Sequence, residues 1–190
     1  MKIGLFFGSF NPIHVGHLIL ANTMVDAAEL HAVWFIVSPQ NPFKKKKNLL
    51  HEQDRYDMVR QATQENPRLR VSDVEFRMPK PSYTIDTLTV LQEKYPKHQF
   101  RVIMGGDNLT HFRKWKNYEQ ILEYHGLLVF PRPGTPATDL LEHPNVRQID
   151  APMLELSATY IRQAIREERS IQYLVPDPVI ELIRRKGFYR

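Results

Sequence analysis

The chain has 190 residues, and its 26 Lys and Arg against 21 Asp and Glu give a formal net charge of +5. A hydrophobic share of 42% and a charged share of 25% are typical of a globular protein and exclude an intrinsically disordered chain. The absence of cysteine excludes a disulfide scaffold, a thiolate nucleophile and a cysteine-ligated metal site. Because the N-terminus lacks a signal-peptide pattern and no apolar run approaches about 20 residues, we expect a cytoplasmic protein without a membrane span.

Short apolar runs of strand length alternate with helical patterns along most of the chain. Residues 2–7 predict a first strand that ends at Gly8, and apolar residues from Leu18 to Ala28 then recur at spacings of three and four, as on a helix face. Further strands are predicted at residues 32–37, 69–74, 100–104, 127–130 and 146–149. Further helices are predicted at residues 52–64, 85–95 and 119–124, with loops at 39–50, 75–82 and 132–139.

The last third of the chain is predicted to be helical. Ser157 can N-cap a helix that runs to about Glu168. Asp177 followed by Pro178 predicts a second N-cap with proline at the first helical position, and Gly187 lies just past the end of that helix.

This order of elements predicts an α/β fold, namely a doubly wound parallel sheet with helices on both faces and a helical C-terminal portion. Ligands of such sheets bind beyond the carboxyl ends of the strands. The segments that begin at Gly8, Pro39 and Gly105 should therefore face one crevice. No linker divides the sequence, so we expect a single domain over residues 1–190.

The turn between the first strand and the first helix reads GSFNPIHVGH and carries the strongest functional signal. Gly8 and Ser9 offer backbone N–H groups to an anion, next to the positive end of the helix dipole. His14 and His17 are three residues apart and should project to the same side, while Gly16 leaves room for a ligand. Two imidazoles beside an anion-binding turn predict charge stabilisation on a phosphate. The alternatives are capping or core histidines, or a zinc site, for which a third nearby ligand is not evident.

A second candidate anion site lies at the start of the first C-terminal helix, in the segment LSATYIR. Ser157 and Thr159 offer hydroxyl and N–H groups at the helix start, and Arg162 lies within the next turn. The alternative is a capped amphipathic helix with a surface arginine.

The segment His14-x-Gly16-His17 after its Gly-Ser-Phe-Asn-Pro turn resembles the HxGH nucleotidyltransferase superfamily. Members of that superfamily transfer a nucleotidyl group to a phosphate or similar acceptor and release pyrophosphate. The segment from Ser157 to Arg162 resembles the superfamily's Ser-x-Thr-x-x-Arg motif, which binds the triphosphate from the other side. Further stretches extend a resemblance to bacterial nicotinate-mononucleotide adenylyltransferases over essentially the whole chain. These stretches read PSYTIDT, GGDNLTHFRKW, LVPDPV and GFY.

The resemblance implies a Rossmann-like fold and transfer of AMP from ATP to nicotinate mononucleotide, giving deamido-NAD and pyrophosphate in NAD biosynthesis. The acceptor phosphate would attack directly in line, without a general base or a covalent intermediate. The catalytic residues implied are His14, His17, Arg162 and Lys44. The ATP-binding residues implied are Gly8, Ser9, Phe10, His14, His17, Gly105, Asp107, Arg132, Ser157, Thr159 and Arg162. The acceptor-binding residues implied are Asn41, Lys44, Ser82, Tyr83, Thr84, Trp115 and Lys116.

The resemblance also implies individual roles. Asp107 would bind the adenosine ribose, Arg132 would lie near the adenine end, and Trp115 would stack on the pyridine ring. Residues 82–84 would lie near the nicotinate, whose carboxylate could accept hydrogen bonds from Thr84 and from the backbone near Trp115. Mg²⁺ would be carried mainly by the ATP phosphates, because the sequence shows no carboxylate cluster that would form a protein cage, and no metal ligand of the protein is predicted. We expect small-molecule partners, and neither nucleic acid nor a membrane.

Several of these residues have a second interpretation when they are considered alone. Asp107 could N-cap a helix, and Trp115 could be an ordinary core residue. The lysine run from Lys44 to Lys47 could be a solvated loop. Relatives often carry Pro-Pro-His-Lys at this place, whereas this chain has Asn-Pro-Phe-Lys, with Phe43 at the histidine position.

Three functional alternatives also stay open. The acceptor could be nicotinamide mononucleotide or another phosphorylated small molecule. The protein could be a nucleotide sensor without catalysis, although its full set of His, Ser, Thr and Arg residues argues against a decayed site. The net positive charge alone would permit a nucleic-acid-binding module, but the sequence lacks interleaved aromatic and basic stripes.

Overall fold

A six-stranded sheet forms the centre of the protein in a computed structural model, which describes residues 1–39, 49–152 and 154–190. The strands are β1 Lys2–Gly8, β2 Ala32–Val37, β3 Leu69–Ser72, β4 Gln99–Gly105, β5 Leu127–Phe130 and β6 Val146–Gln148. Their order is β3-β2-β1-β4-β5-β6, and every neighbouring pair is parallel. The predicted doubly wound, Rossmann-like sheet is therefore confirmed, with its topological switch between β1 and β4.

Helices cover both faces of this sheet. The α-helices are α1 Val15–Ala27, α2 Glu52–Thr63, α3 Thr84–Lys94, α4 Gly106–Leu109, α5 Tyr118–Tyr124, α6 Ala158–Arg166 and α7 Asp177–Lys186. Three short 3₁₀ helices lie at Val74–Arg77, Phe112–Lys114 and Asp139–Glu142. No helix among the described residues has the length and apolar character that crossing a membrane requires.

The core consists of two apolar clusters, one on each face of the sheet. Neighbouring strand side chains point to opposite faces, so Leu5 lies in one cluster and Phe6 in the other. The six residues of β2, AVWFIV, are all buried, as expected for a parallel strand covered on both faces. Residues of α1, α2, α6 and α7 fill the Phe6 cluster, and residues of α3 and α5 fill the Leu5 cluster.

Most predicted elements are present, and their ends differ by a few residues. The first C-terminal helix has Ser157 as its N-cap, as predicted, and the Ser157 hydroxyl accepts a hydrogen bond from the Tyr160 N–H. The second begins at Asp177 with Pro176 as its N-cap, so the prediction that Asp177 is the cap is wrong. The Asp177 carboxylate instead accepts a hydrogen bond from the Gln172 side chain at 2.7 Å. Gly187 ends this helix in the left-handed conformation, with φ of 67°.

Candidate active site

The carboxyl ends of β1, β2 and β4 border one cleft with a volume of about 730 Å³. Gly8, Ser38 and Gly105 stand at its rim, so the predicted crevice is present. The cleft is lined by the predicted site residues Gly8, Ser9, Phe10, His14, His17, Ser82, Tyr83, Thr84, Gly105, Asp107, Trp115, Lys116, Arg132, Ser157, Thr159 and Arg162. Two further predicted residues, Asn41 and Lys44, lie outside the described residues.

The two histidines form a stacked pair at the start of α1. His14 is the N-cap residue, and its ring lies 3.7 Å from that of His17, centre to centre, at an angle of 28°. The His14 backbone N–H donates to Nδ1 of His17 at 3.3 Å. Because Nδ1 of His17 accepts this bond, a neutral His17 ring carries its proton on Nε2. The predicted same-side projection of the pair is therefore present.

Both imidazoles are uncharged at neutral pH in the ligand-free protein. Burial, together with the positive charge of Arg132, lowers the pKa of His14 from 6.5 to about 4. Burial, His14 and Arg132 hold the pKa of His17 well below its usual value. The pair therefore meets an incoming phosphate with N–H dipoles rather than with full positive charges. A bound phosphate, being an anion, would raise both pKa values.

Three glycines that line the cleft make room for the protein's own side chains. A Cβ atom at Gly8 would lie 2.7 Å from the Phe10 ring, and one at Gly16 would lie 3.1 Å from Nδ1 of His14. A Cβ atom at Gly105 would collide with the Asp107 carboxylate. The glycines therefore shape the cleft by letting the side chains of Phe10, His14 and Asp107 lie close to the backbone.

Phe10 forms a wall beneath the histidines. Its backbone is left-handed, with φ of 44°, and its side chain is almost fully buried. The ring contacts the edge of His17, with centres 5.2 Å apart, and packs against Phe6 and Phe35. Phe10 therefore supports the histidine pair.

The start of α6 lies beside the loop that precedes α1. The Arg162 guanidinium donates to the backbone carbonyl of Asn11 at 2.8 Å and to the Thr159 hydroxyl at 3.1 Å. Its Nε is buried and has no hydrogen-bond partner within the described part of the chain. The Asn11 carbonyl thus ties Arg162 to the loop that carries His14. The two predicted anion sites are therefore neighbours on one wall of the cleft.

Asp107 and Arg132 lie together at the β4–β5 side of the cleft. The Asp107 carboxylate is 3.8 Å from Nε of Arg132, and 61% of the Asp107 side chain is exposed. The guanidinium of Arg132 also stacks over the Phe130 ring at 5.3 Å. Gly105 is the N-cap of α4, so the interpretation of Asp107 as a helix N-cap is wrong.

The start of α3 and the segment around Trp115 form another part of the cleft lining. Tyr83 is the N-cap of α3 and Thr84 its first residue, so the unpaired N–H groups of the first turn lie beside the cleft. Lys116 is already paired with both carboxylate oxygens of Asp86 at 2.8 Å. The ring of Trp115 is half-buried and packs on Phe112.

The backbone N–H of Trp115 itself is used within the protein. It donates to the Phe112 carbonyl at 2.9 Å and closes a single turn of 3₁₀ helix. That the backbone near Trp115 donates to a substrate carboxylate stays a prediction. The N-terminus of α3 is a second nearby source of backbone donors.

Sequence reasoning missed a buried arginine that fixes the cleft loops. Arg55 is fully buried and donates to four backbone carbonyls, at distances from 2.6 to 3.1 Å. These carbonyls belong to Ser9, Ser38, Pro39 and Leu50. A signal was available, since Met58 and Val59 lie three and four residues further on, which puts Arg55 on the buried face of α2.

Two more polar residues that the sequence did not single out as site residues support the same loops. The Asn11 side-chain oxygen accepts from the Leu50 N–H at 3.3 Å and from the Tyr189 hydroxyl at 2.9 Å. The penultimate residue of the chain therefore contacts the first cleft loop. Among the described residues, no group of three or more His, Cys, Asp or Glu side chains is arranged to hold a metal ion.

Comparisons with known proteins show relatives that match over the whole chain. A family described as Cytidylyltransferase-like matches residues 5–164. Proteins named probable nicotinate-nucleotide adenylyltransferase from Cytophaga hutchinsonii and Flavobacterium johnsoniae are 59% and 50% identical to the chain. Both alignments cover 100% of this chain, and they cover 98% and 100% of the two relatives. The chain belongs to the nicotinate-nucleotide adenylyltransferase family.

A solved structure extends the match to the fold of the family. The nicotinic acid mononucleotide adenylyltransferase of Plasmodium falciparum, solved in complex with NaAD, matches with a TM-score of 0.82 at 19% identity. The match covers 99% of this chain and 97% of that chain. The resemblance inferred from the HxGH and Ser-x-Thr-x-x-Arg segments is thus confirmed for the family and for the fold.

Proposed function

We propose that the protein transfers AMP from ATP to nicotinate mononucleotide, producing deamido-NAD and pyrophosphate for NAD biosynthesis. The observation that carries this proposal is the joining of the two anion-binding segments: Arg162 is bonded to the loop before α1, and the start of α1 carries the stacked His14 and His17 pair. A cationic guanidinium beside two neutral N–H donors suits a triphosphate. The start of α3 supplies a separate anion-binding helix end for the nicotinate carboxylate.

The chemistry proposed is a single in-line displacement. An oxygen of the acceptor phosphate forms a bond to the α-phosphorus of ATP, and the bond from that phosphorus to the bridging oxygen of pyrophosphate breaks. The acceptor phosphate is already ionised at neutral pH, so the protein needs no general base and no nucleophile. Catalysis then consists of positioning and of stabilising charge at the α-phosphorus.

The phosphate-binding residues divide this work. His17, with its proton on Nε2, donates to the α- and β-phosphates together with His14. Arg162, Ser157 and Thr159 hold the departing pyrophosphate. The Ser157 oxygen already accepts from the Tyr160 N–H at 3.2 Å, so the hydroxyl proton is the part left for a phosphate. Lys44, which lies outside the described residues, is proposed to screen the acceptor phosphate.

The two nucleosides occupy opposite ends of the cleft in this proposal. Asp107 accepts hydrogen bonds from the ribose hydroxyls of ATP, and Arg132 lies at the adenine end. Trp115 stacks on the pyridine ring, and Thr84 at the start of α3 contacts the carboxylate. The open side chain of Asp107 and the half-buried ring of Trp115 support these roles.

Mg²⁺ enters as part of the substrate in this proposal. The described residues provide no cluster of ligands for a resident ion, so the ion would be coordinated by the phosphates of ATP.

The deciding experiment measures pyrophosphate release from ATP with nicotinate mononucleotide and, separately, with nicotinamide mononucleotide. We expect turnover with the first acceptor and a lower kcat/KM with the second, because helix N–H donors favour a carboxylate over an amide. Equal or better turnover with the amide would assign the alternative acceptor. ATP binding without pyrophosphate release with either acceptor would indicate a sensor.

A further inference from the structure

A buried carboxylate lies beside the acceptor end of the cleft. Glu75 is in the 3₁₀ helix after β3, lines the cleft and is only 2% exposed. Glutamate is almost never fully buried unless its carboxylate has partners. The sequence placed this residue in a loop, and the mechanism above does not use it.

The partners of Glu75 are hydroxyl groups from three separate segments. The Ser82 hydroxyl donates to Oε2 at 2.7 Å, and the Thr87 hydroxyl donates to Oε1 at 2.8 Å. The Ser38 hydroxyl, at the end of β2, is a third donor. Burial raises the pKa of Glu75, and the three hydroxyl groups oppose that rise. One side chain therefore connects the end of β2, the segment before α3 and the first turns of α3.

The segment that Glu75 holds has few backbone bonds of its own. The chain from Met78 to Ser82 contains Pro79 and Pro81, which have no N–H to donate. Thr87 is fully buried, and its hydroxyl also lies 3.3 Å from the Tyr83 carbonyl at the N-cap of α3. The start of α3 is therefore held by side-chain hydrogen bonds to Glu75 in addition to the packing of Ile85 and Leu88 in the core.

We propose that Glu75 is a positioning residue for the acceptor: through Ser82 and Thr87 it holds the start of α3 where that helix end binds the mononucleotide. This inference rests on the function proposed above. Glu75 acts through its neighbours and has no part in binding the reacting phosphates, which the proposed function assigns to the histidines and Arg162. Its loss should therefore weaken acceptor binding much more than ATP binding or the chemical step.

The test is steady-state kinetics on Glu75→Ala, Glu75→Gln and Thr87→Val, with pyrophosphate release as the readout. We expect Glu75→Ala to raise the KM for nicotinate mononucleotide at least about tenfold, with the KM for ATP and kcat within about threefold of wild type. Glu75→Gln should restore the acceptor KM to within about threefold, because its amide oxygen still accepts from Thr87 while its NH₂ group donates to the Ser82 oxygen. Thr87→Val keeps the shape and removes one bond, and it should raise the acceptor KM alone.

Glu93→Gln is the matched control, since Glu93 is an exposed glutamate near the far end of the same helix. Melting temperatures of all variants separate folding from binding. A proportional rise in both KM values, or an unchanged acceptor KM in Glu75→Ala, would overturn the positioning role. If Glu75→Ala does not fold, Thr87→Val decides the question, and a wild-type acceptor KM in that variant would overturn the positioning role. Absence of turnover by the wild-type protein would instead overturn the proposed function, together with the role that rests on it.

Discussion

Removing the buried imidazole of His14 should flatten the pH dependence of stability. The pKa of His14 is about 4 in the folded, ligand-free protein, against 6.5 for an ordinary histidine. As the pH falls below 6.5, His14 becomes protonated in the unfolded chain but stays neutral in the folded protein. The free energy of unfolding is therefore unaffected by this group above pH 6.5 and decreases as the pH falls toward 4. At about pH 5 the loss from this one group is roughly 1.5 pH units times 1.36, or about 2 kcal/mol.

The assay is urea unfolding followed by circular dichroism, on wild type and His14→Gln, at about pH 7.5 and about pH 5. We expect the wild-type free energy of unfolding to fall between these conditions by at least about 2 kcal/mol more than that of the variant. His17, whose pKa is also lowered, acts in the same direction, and removing His14 removes one cause of that lowering. His111→Gln, which replaces an exposed histidine, controls for losing an imidazole as such.

The quantity to compare is the change in the free energy of unfolding between the two pH values, not the free energy at either pH. His14→Gln changes packing at both pH values, so its packing cost cancels in the difference. If wild type and His14→Gln lose the same free energy between the two conditions, His14 is not held uncharged by burial. The description of His14 as a neutral N–H donor would then be wrong.

Three further outcomes follow from the site. His17→Ala should keep ATP affinity within about tenfold but lose at least about 100-fold in kcat, and near-normal turnover would exclude a role on the phosphates. Trp115→Ala should raise the KM for the mononucleotide more than that for ATP, whereas equal rises would identify a core residue. Gly16→Ala places a Cβ atom 3.1 Å from the His14 ring, so kcat should fall about tenfold or more while the melting temperature changes little. A Gly16→Ala protein with wild-type kcat would show that the ring can move aside without consequence.

Local patterns predicted those elements whose formation depends on neighbours in the chain. The AVWFIV run predicts the bounds of β2 because a strand that is buried on both faces is apolar from its first to its last residue. Ser157 was predicted as an N-cap because capping involves an amide only three residues away. The same reasoning failed at Asp177, whose carboxylate found a partner at Gln172 outside the helix.

The supports of the site could not be predicted, because their partners are distant in sequence. Arg55 bonds to carbonyls on both cleft loops, as far away as Ser9. The Tyr189 hydroxyl contacts Asn11 across 178 positions of the chain. Nothing in the local sequence of Glu75 indicates that three hydroxyl groups surround it, since two of them arrive from β2 and α3.

The parallel α/β architecture and the family resemblance are predictable from the sequence, because strand and helix periodicity and the spacing of His14, His17, Ser157 and Arg162 are properties of short segments. The tertiary structure sets the charge state of the histidines, since their lowered pKa values depend on burial and on Arg132. It also joined the two anion-binding helix starts into one wall, through a bond between Arg162 and Asn11 that spans 151 positions. The residue types in a short motif are fixed by the local sequence, whereas the burial of those residues, the charges near them and the distances between motifs are set by tertiary packing.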